Sequence, residues 1–296
     1  MTDAVRPAPA RPNSGRSNSE RDLAILKSVV LLLVMLPGFI MIADLARDGL
    51  GAKPITEVIH RSGDWSIRLL FVSLLITPLR QTLKAHKLAS VRRIVGVAAF
   101  AYIVIHVAGY IVDEKFDLAK VASEIVLRVY LTIGFVGVVL LGLLAATSTD
   151  AMTRRLGGKR WKKLHRASYL IGVIAVAHFF MQSKLDVAEP TVMGGLFVWL
   201  MLWRAWAEWI GRDSATSLWG LTLLAGIAGL ATAGGEWAYY AAFTGIDPML
   251  VLQANLAMLR PAWIVLAIAL AVPLAAALWR TLARLRSARA AKPQAL

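Results

Sequence analysis

The chain has 296 residues, of which 58% are hydrophobic and none is cysteine, and it carries a formal net charge of +15. Ordinary soluble domains stay closer to half apolar, so a soluble fold is excluded, and the missing cysteine excludes disulfides, thiolate metal ligation and iron–sulfur clusters. The Lys and Arg fall in short segments between apolar runs, where the positive-inside rule accounts for them, so the charge is no sign of nucleic-acid binding.

Residues 1–24 are rich in Pro, Ser, Asn and Arg and read as a disordered cytoplasmic tail. Apolar runs follow near 25–43, 65–80, 94–112, 129–147, 168–182, 192–210, 218–240 and 261–279. Several reach the roughly 20 residues that a helix needs to cross about 30 Å of hydrocarbon. The first contains Pro37-Gly38 and no cleavage site follows it, so it reads as a retained helix rather than a signal peptide. The expected fold is an all-α integral membrane bundle of about eight transmembrane helices. It divides into a six-helix core over 25–212, two additional helices over 213–280 and a basic cytoplasmic tail over 281–296.

Charge sets the orientation. Segment 80–93 has Arg80, Lys84, Lys87, Arg92 and Arg93 and no acid, and 149–166 has seven Lys/Arg against Asp150 alone, so both are expected in the cytoplasm. Segments 44–64 and 113–128 balance base with acid and are expected on the far side. Arg280, Arg284, Arg286, Arg289 and Lys292 then place the C-terminus in the cytoplasm, which agrees with an even helix count. Trp65, Trp161, Trp209, Trp219, Trp237, Trp263 and Trp279 lie near span ends, where an amphipathic ring prefers the headgroup level, while Trp199 fits the core better.

The chemistry rests on histidine. His106 in the third span and His178 in the fifth sit at matching depth in the outer half of the membrane. An ionisable ring in hydrocarbon needs a partner, and one such histidine can simply bond a neighbouring helix. Two at equal depth have a common partner in an iron porphyrin, whose axial positions each accept an imidazole nitrogen. The small residues Ala99, Gly109, Gly172 and Ala175 leave room for a flat macrocycle, although they serve plain helix packing equally well.

His165 lies 13 residues before His178, roughly 20 Å along a helix, and marks either a second, inner haem or an interfacial histidine facing headgroups. Arg92, 14 residues before His106, returns to within roughly 40° of the same helix face and is the candidate to face the inner site. His165 and His178 point to different sides of a straight helix, so both can serve stacked sites only if a turn between them loosens. His60 and His86 are expected in solvated loops on opposite sides, and Met181 as packing. No Gly-rich or Walker-type phosphate loop is present.

Three stretches, GAKPITEVIHRSGDWSIRLLFVSLLITPLR (51–80), RRIVGVAAFAYIVIHVAGY (92–110) and STDAMTRRLGGKRWKKLHRASYLIGVIAVAHFF (148–180), carry a family resemblance. Over roughly 25–212 the chain resembles the haem-binding membrane subunits of periplasmic protein-methionine-sulfoxide reductase systems (MsrQ type), within the ferric-reductase-like transmembrane group. The resemblance implies b-type haem, one or two per chain, on His106, His165 and His178. It also implies a flavin mononucleotide, electrons from the quinone pool, and a periplasmic molybdopterin-containing reductase as partner, in the bacterial inner membrane. Sulfoxide reduction itself is expected on that partner. The long N-terminal tail and the last two spans depart from the shorter family form. A transmembrane ferric or quinone reductase with another acceptor is the alternative function. A proton-coupled transporter would need inverted repeats or paired broken helices, which are not evident.

Overall fold

A computed structural model describes residues 14–183 and 186–290, all of whose regular elements are helical. In chain order these are α1 (Ser14–Ala46), α2 (Pro54–Leu83), a 3-10 turn (His86–Val91), α3 (Arg92–Asp113), α4 (Leu118–Leu127), α5 (Val129–Ala146), α6 (Asp150–Leu156), α7 (Gly158–His165) and α8 (Ala167–Gln182). They continue as α9 (Ala188–Trp209), α10 (Arg212–Ala215), α11 (Leu218–Phe243), α12 (Pro248–Ala257) and α13 (Pro261–Ala290).

Among the described residues seven helical segments are long and apolar enough to cross a membrane. The chain is an all-α integral membrane bundle. The eighth expected span is α9, a 22-residue helix that is not among the seven. It carries Glu189, Arg204, Glu208 and several tryptophans, and it buries Trp199 and Trp203 in the core instead of presenting an apolar surface.

Helix ends differ from the sequence expectation where polar residues remain helical. The second span was expected from residue 65, but α2 starts at Pro54, a proline at the first helical turn, where its missing N–H is no loss. Its early turns are held by Arg61, which donates to Glu57 on its own helix and to Asp44 on α1, both at 2.7 Å. His60 is therefore exposed on a helix rather than in a loop. The expected disordered tail lies outside the described residues up to residue 13. From Ser14 the chain is already helical, because extending a formed helix fixes little more than one residue per added bond, and Asp22 pairs with Lys87 at 3.0 Å. Residues 291–296 of the basic tail also lie outside the described residues.

α2 is the central helix. Its Leu69, Leu70, Phe71 and Leu74 share one core with Val95 and Ala99 of α3, Ile171 of α8 and Phe197, Leu200 and Trp203 of α9, with Phe71 and Phe197 stacked at 5.5 Å. Of the prolines inside helices, Pro37, Pro78 and Pro273, the first two are met by a side chain from a neighbouring helix. Pro78 has no N–H for the Leu74 carbonyl, and Arg204 of α9 donates to it at 2.7 Å. Beside Pro37 the Tyr102 hydroxyl of α3 inserts between Gly38 N–H and the Val34 carbonyl, accepting from one at 2.7 Å and donating to the other at 2.9 Å. α11 and α13 pack on α9, where Gly195 lies directly against Thr232 and Val265.

Candidate functional site

Near one end of the bundle, α3 and α8 bring His106 and His178 together, with ring centroids 6.4 Å apart and planes at 86°. Each ring bonds a neighbouring helix through Nδ1: His106 to the Ile59 carbonyl of α2 at 2.7 Å, and His178 to the Tyr130 carbonyl of α5 at 2.8 Å. A carbonyl only accepts, so the proton sits on Nδ1 in both rings and the lone pair on Nε2. Two imidazoles thus offer Nε2 as a ligand, each with the second bond that orients a metal-bound histidine and raises its basicity.

The spacing suits one ion shared by both rings, since two metal–imidazole bonds of about 2 Å each, with the ring radii added, approach the observed separation. Among the described residues no group of three or more His, Asp or Glu could hold a bare ion. A partner for this pair must bring its own equatorial ligands, which is what a porphyrin does. The donor set therefore fits haem.

The opposite end is different in kind. His165 closes α7, its ring stacks on Trp161 at 3.9 Å, and its Nε2 lies 3.3 Å from the Thr147 hydroxyl, which itself donates to the Leu143 carbonyl. The regular bonding is interrupted at Arg166 between His165 and His178, where Arg166 and Tyr169 each bond three residues back, and Ser168 donates to the His165 carbonyl at 2.8 Å. Arg166 keeps helical dihedrals, so this is a local tightening within one apolar span. Arg92 opens α3 among Tyr169, Arg204 and Arg80, within electrostatic reach of His165. The Arg204 guanidinium lies 5.2 Å from the centre of the Tyr169 ring. At the same end the Arg93 guanidinium, 2.7 Å from Asp150, holds that carboxyl below the usual carboxylate range.

The remaining expected residues lie elsewhere. His86 is exposed at the start of the 3-10 turn, and Met181 is exposed on α8. The small residues bordering the rings are Gly63 and Gly134 rather than Ala99, Gly109, Gly172 and Ala175. Gly109 instead accommodates Ile59 and Gly172 accommodates Phe197, Ala99 accepts a hydrogen bond from Ser66, and Ala175 packs on the core. The carbonyls of Ile59 and Tyr130 have no sequence signature, and a glycine in an apolar helix has many uses.

A multi-span bundle with two ligand-ready histidines on neighbouring helices defines a haem-type electron-transfer membrane component. In agreement, residues 62–176 match the family described as ferric reductase like transmembrane component, a stretch that includes His106 and His165 and stops two residues before His178. The chain belongs to the family of protein-methionine-sulfoxide reductase heme-binding subunits, MsrQ. It is 41% identical to the member from Caulobacter vibrioides over 202 residues, 67% of this chain and 95% of that protein. It is 35% identical to that of Herminiimonas arsenicoxydans, covering 68% and 93%, and 40% identical to that of Xanthomonas axonopodis pv. citri, covering 56% and 77%. No solved structure matches.

Proposed function

We propose that the chain is the electron-transfer subunit of a methionine-sulfoxide repair system, binding b-type haem between His106 and His178. Electrons come from the quinone pool and leave to a periplasmic molybdopterin-containing reductase that restores oxidised periplasmic proteins. The protein sits in the bacterial inner membrane with both termini cytoplasmic, which requires α9 to cross as an eighth span beside the seven apolar ones. The observation carrying this reading is the pair of rings 6.4 Å apart, each with Nδ1 spent on a backbone carbonyl. Bound haem supplies one-electron redox chemistry. His106 and His178 supply ligation and orientation, and the surrounding helices supply a dry, low-dielectric setting.

A second, inner haem rests on His165 as ligand, with Arg92 pairing a propionate, since guanidinium stays protonated and does not ligate iron. The change of helical bonding at Arg166 and the place of Arg92 at the same end of the bundle, within electrostatic reach of His165, support it. A flavin mononucleotide, implied by the family resemblance, belongs on this donor side, where Arg80 and Arg204 join Arg92.

Haem content and absorption spectra of purified variants test the reading. His106→Ala and His178→Ala should each remove the same haem, and His60→Ala should change nothing. A full haem complement in both intramembrane variants sinks the ligand assignment. For the inner site, haem per protein should fall in His165→Ala, and an unchanged ratio of about one in wild type, His165→Ala and Arg92→Ala removes it.

A further inference from the structure

His106 and His178 stand on different helices with different neighbours, yet each is seated in the same way. On α2, Ile59 offers its carbonyl to His106 Nδ1, and Gly63, four residues on, lies against the ring. A Cβ at Gly63 would stand 3.0 Å from Nδ1 and 3.3 Å from Cε1. On α5, Tyr130 offers its carbonyl to His178 Nδ1, and Gly134, again four residues on, lies against that ring. A Cβ there would stand 2.8 Å from both Nδ1 and Cε1 and 3.3 Å from Nε2. A step of four residues keeps carbonyl and glycine on one helix face, about one turn apart. Each ring is thus bonded at one turn and rests on bare backbone at the next.

We propose that Gly63 and Gly134 are positioning residues: each makes a side-chain-free cradle that, with the carbonyl one turn earlier, fixes its histidine so that the two Nε2 atoms aim at one shared ligand. The inference rests on His106 and His178 being the axial pair. Ordinary packing does not account for the repeated register, because a packing glycine has no need of a carbonyl–histidine bond one turn away. Gly137 on α5 shows the contrast, since a Cβ there would meet Ile174 Cγ2 at 3.0 Å and no histidine.

The two cradles differ in tightness. Carbon contacts below 3 Å are not tolerated, so a methyl at Gly134 must displace the His178 ring, whereas at Gly63 a shift of a few tenths of an ångström of His106 suffices. Gly134→Ala is therefore the severe variant and Gly63→Ala the mild one.

The experiment compares full-length wild type, Gly134→Ala, Gly63→Ala, Gly137→Ala and His178→Ala by haem content, ferric spin state and haem midpoint potential. In Gly134→Ala the low-spin ferric fraction should fall by about half or more, and added imidazole should restore it, because a displaced axial ring leaves an open position. Gly63→Ala should stay low-spin with an altered electron-paramagnetic-resonance signal and a shifted potential, and Gly137→Ala should match wild type. Wild-type spin state and potential in both cradle variants, with low-spin haem lost in His178→Ala, overturn the cradle and leave the ligand assignment standing. Equal loss in Gly137→Ala overturns it too, since packing alone would then explain the glycines. Full low-spin haem in His178→Ala refutes the ligand assignment, and the cradle with it. Should Gly134→Ala not accumulate, the mild variant decides.

Discussion

Glu236 is 1% exposed within α11, yet it is fully partnered: Asn255 Nδ2 donates to it at 3.0 Å and Arg260 pairs with its other oxygen. Trp263 donates to the Asn255 carbonyl at 2.6 Å, so one carboxylate organises α11, α12 and the start of α13. Glu236→Ala strands Arg260 and leaves Asn255 Nδ2 only the Val251 carbonyl, and should destabilise the protein by up to about 3 kcal/mol, with Glu236→Gln losing less because it can still bond Asn255. Thermal melting in detergent checks this, and the haem spectrum should be unchanged. A lone carboxylate in an apolar run is visible in the sequence, as are His106 and His178, because an ionisable group in hydrocarbon demands a partner. Its partners are not visible, since Ile59 and Tyr130 act through main-chain carbonyls and Asn255 and Arg260 come from a connection that looks like a loop.

Helices were legible where they are uniformly apolar and blurred where they are not. α1, α3, α5, α11 and α13 follow from hydropathy, whereas the first turns of α2 and the whole of α9 mix charge and tryptophan with apolar residues and fall between a span and a solvated helix. The mixing has a physical use in α9. Arg204 donates to Leu200 on its own helix and to the Leu74 carbonyl that Pro78 leaves unpaired, both at 2.7 Å. Arg204→Met should therefore destabilise by about 1–3 kcal/mol through an unsatisfied buried carbonyl. Pro78→Ala restores an N–H four residues after Leu74, so the penalty of Arg204→Met should shrink in that background. A double-mutant cycle of unfolding midpoints reads the coupling directly, and strictly additive effects would contradict the link.

At the level of the whole molecule, ion pairs sort the connections into two ends. Lys87–Asp22 and Arg93–Asp150 tie the first helix, the α2–α3 connection and the α5–α6 connection together at one end, and Arg68–Glu189 and Lys120–Glu114 lie at the other. With the basic end in the cytoplasm, a cysteine replacing Lys159 should resist an impermeant thiol reagent in intact cells while one replacing Lys53 reacts, and the reverse pattern would invert the orientation.

The last two spans bear on the whole molecule differently. They pack mainly on α9, with further contacts to α2 and, through Tyr239 at 5.4 Å from Phe180, to α8 beyond His178; His106, His178 and their carbonyl partners all lie ahead of α11, so truncation there should leave haem content and spectrum intact while lowering stability. Where the cut falls matters. Trp203 donates to the Ala215 carbonyl and Trp206 to the Ser214 hydroxyl, both at 3.0 Å, so ending the chain at Arg212 removes both acceptors and ending it at Ser217 keeps them. At about 1 kcal/mol for each hydrogen bond, the longer truncation product should be more stable by about 2 kcal/mol, with the same haem per protein. Melting temperatures and haem ratios of the two products decide the matter. If both insert normally and neither binds haem, α11 and α13 are part of the haem-binding unit, and residues 25–212 are not self-sufficient.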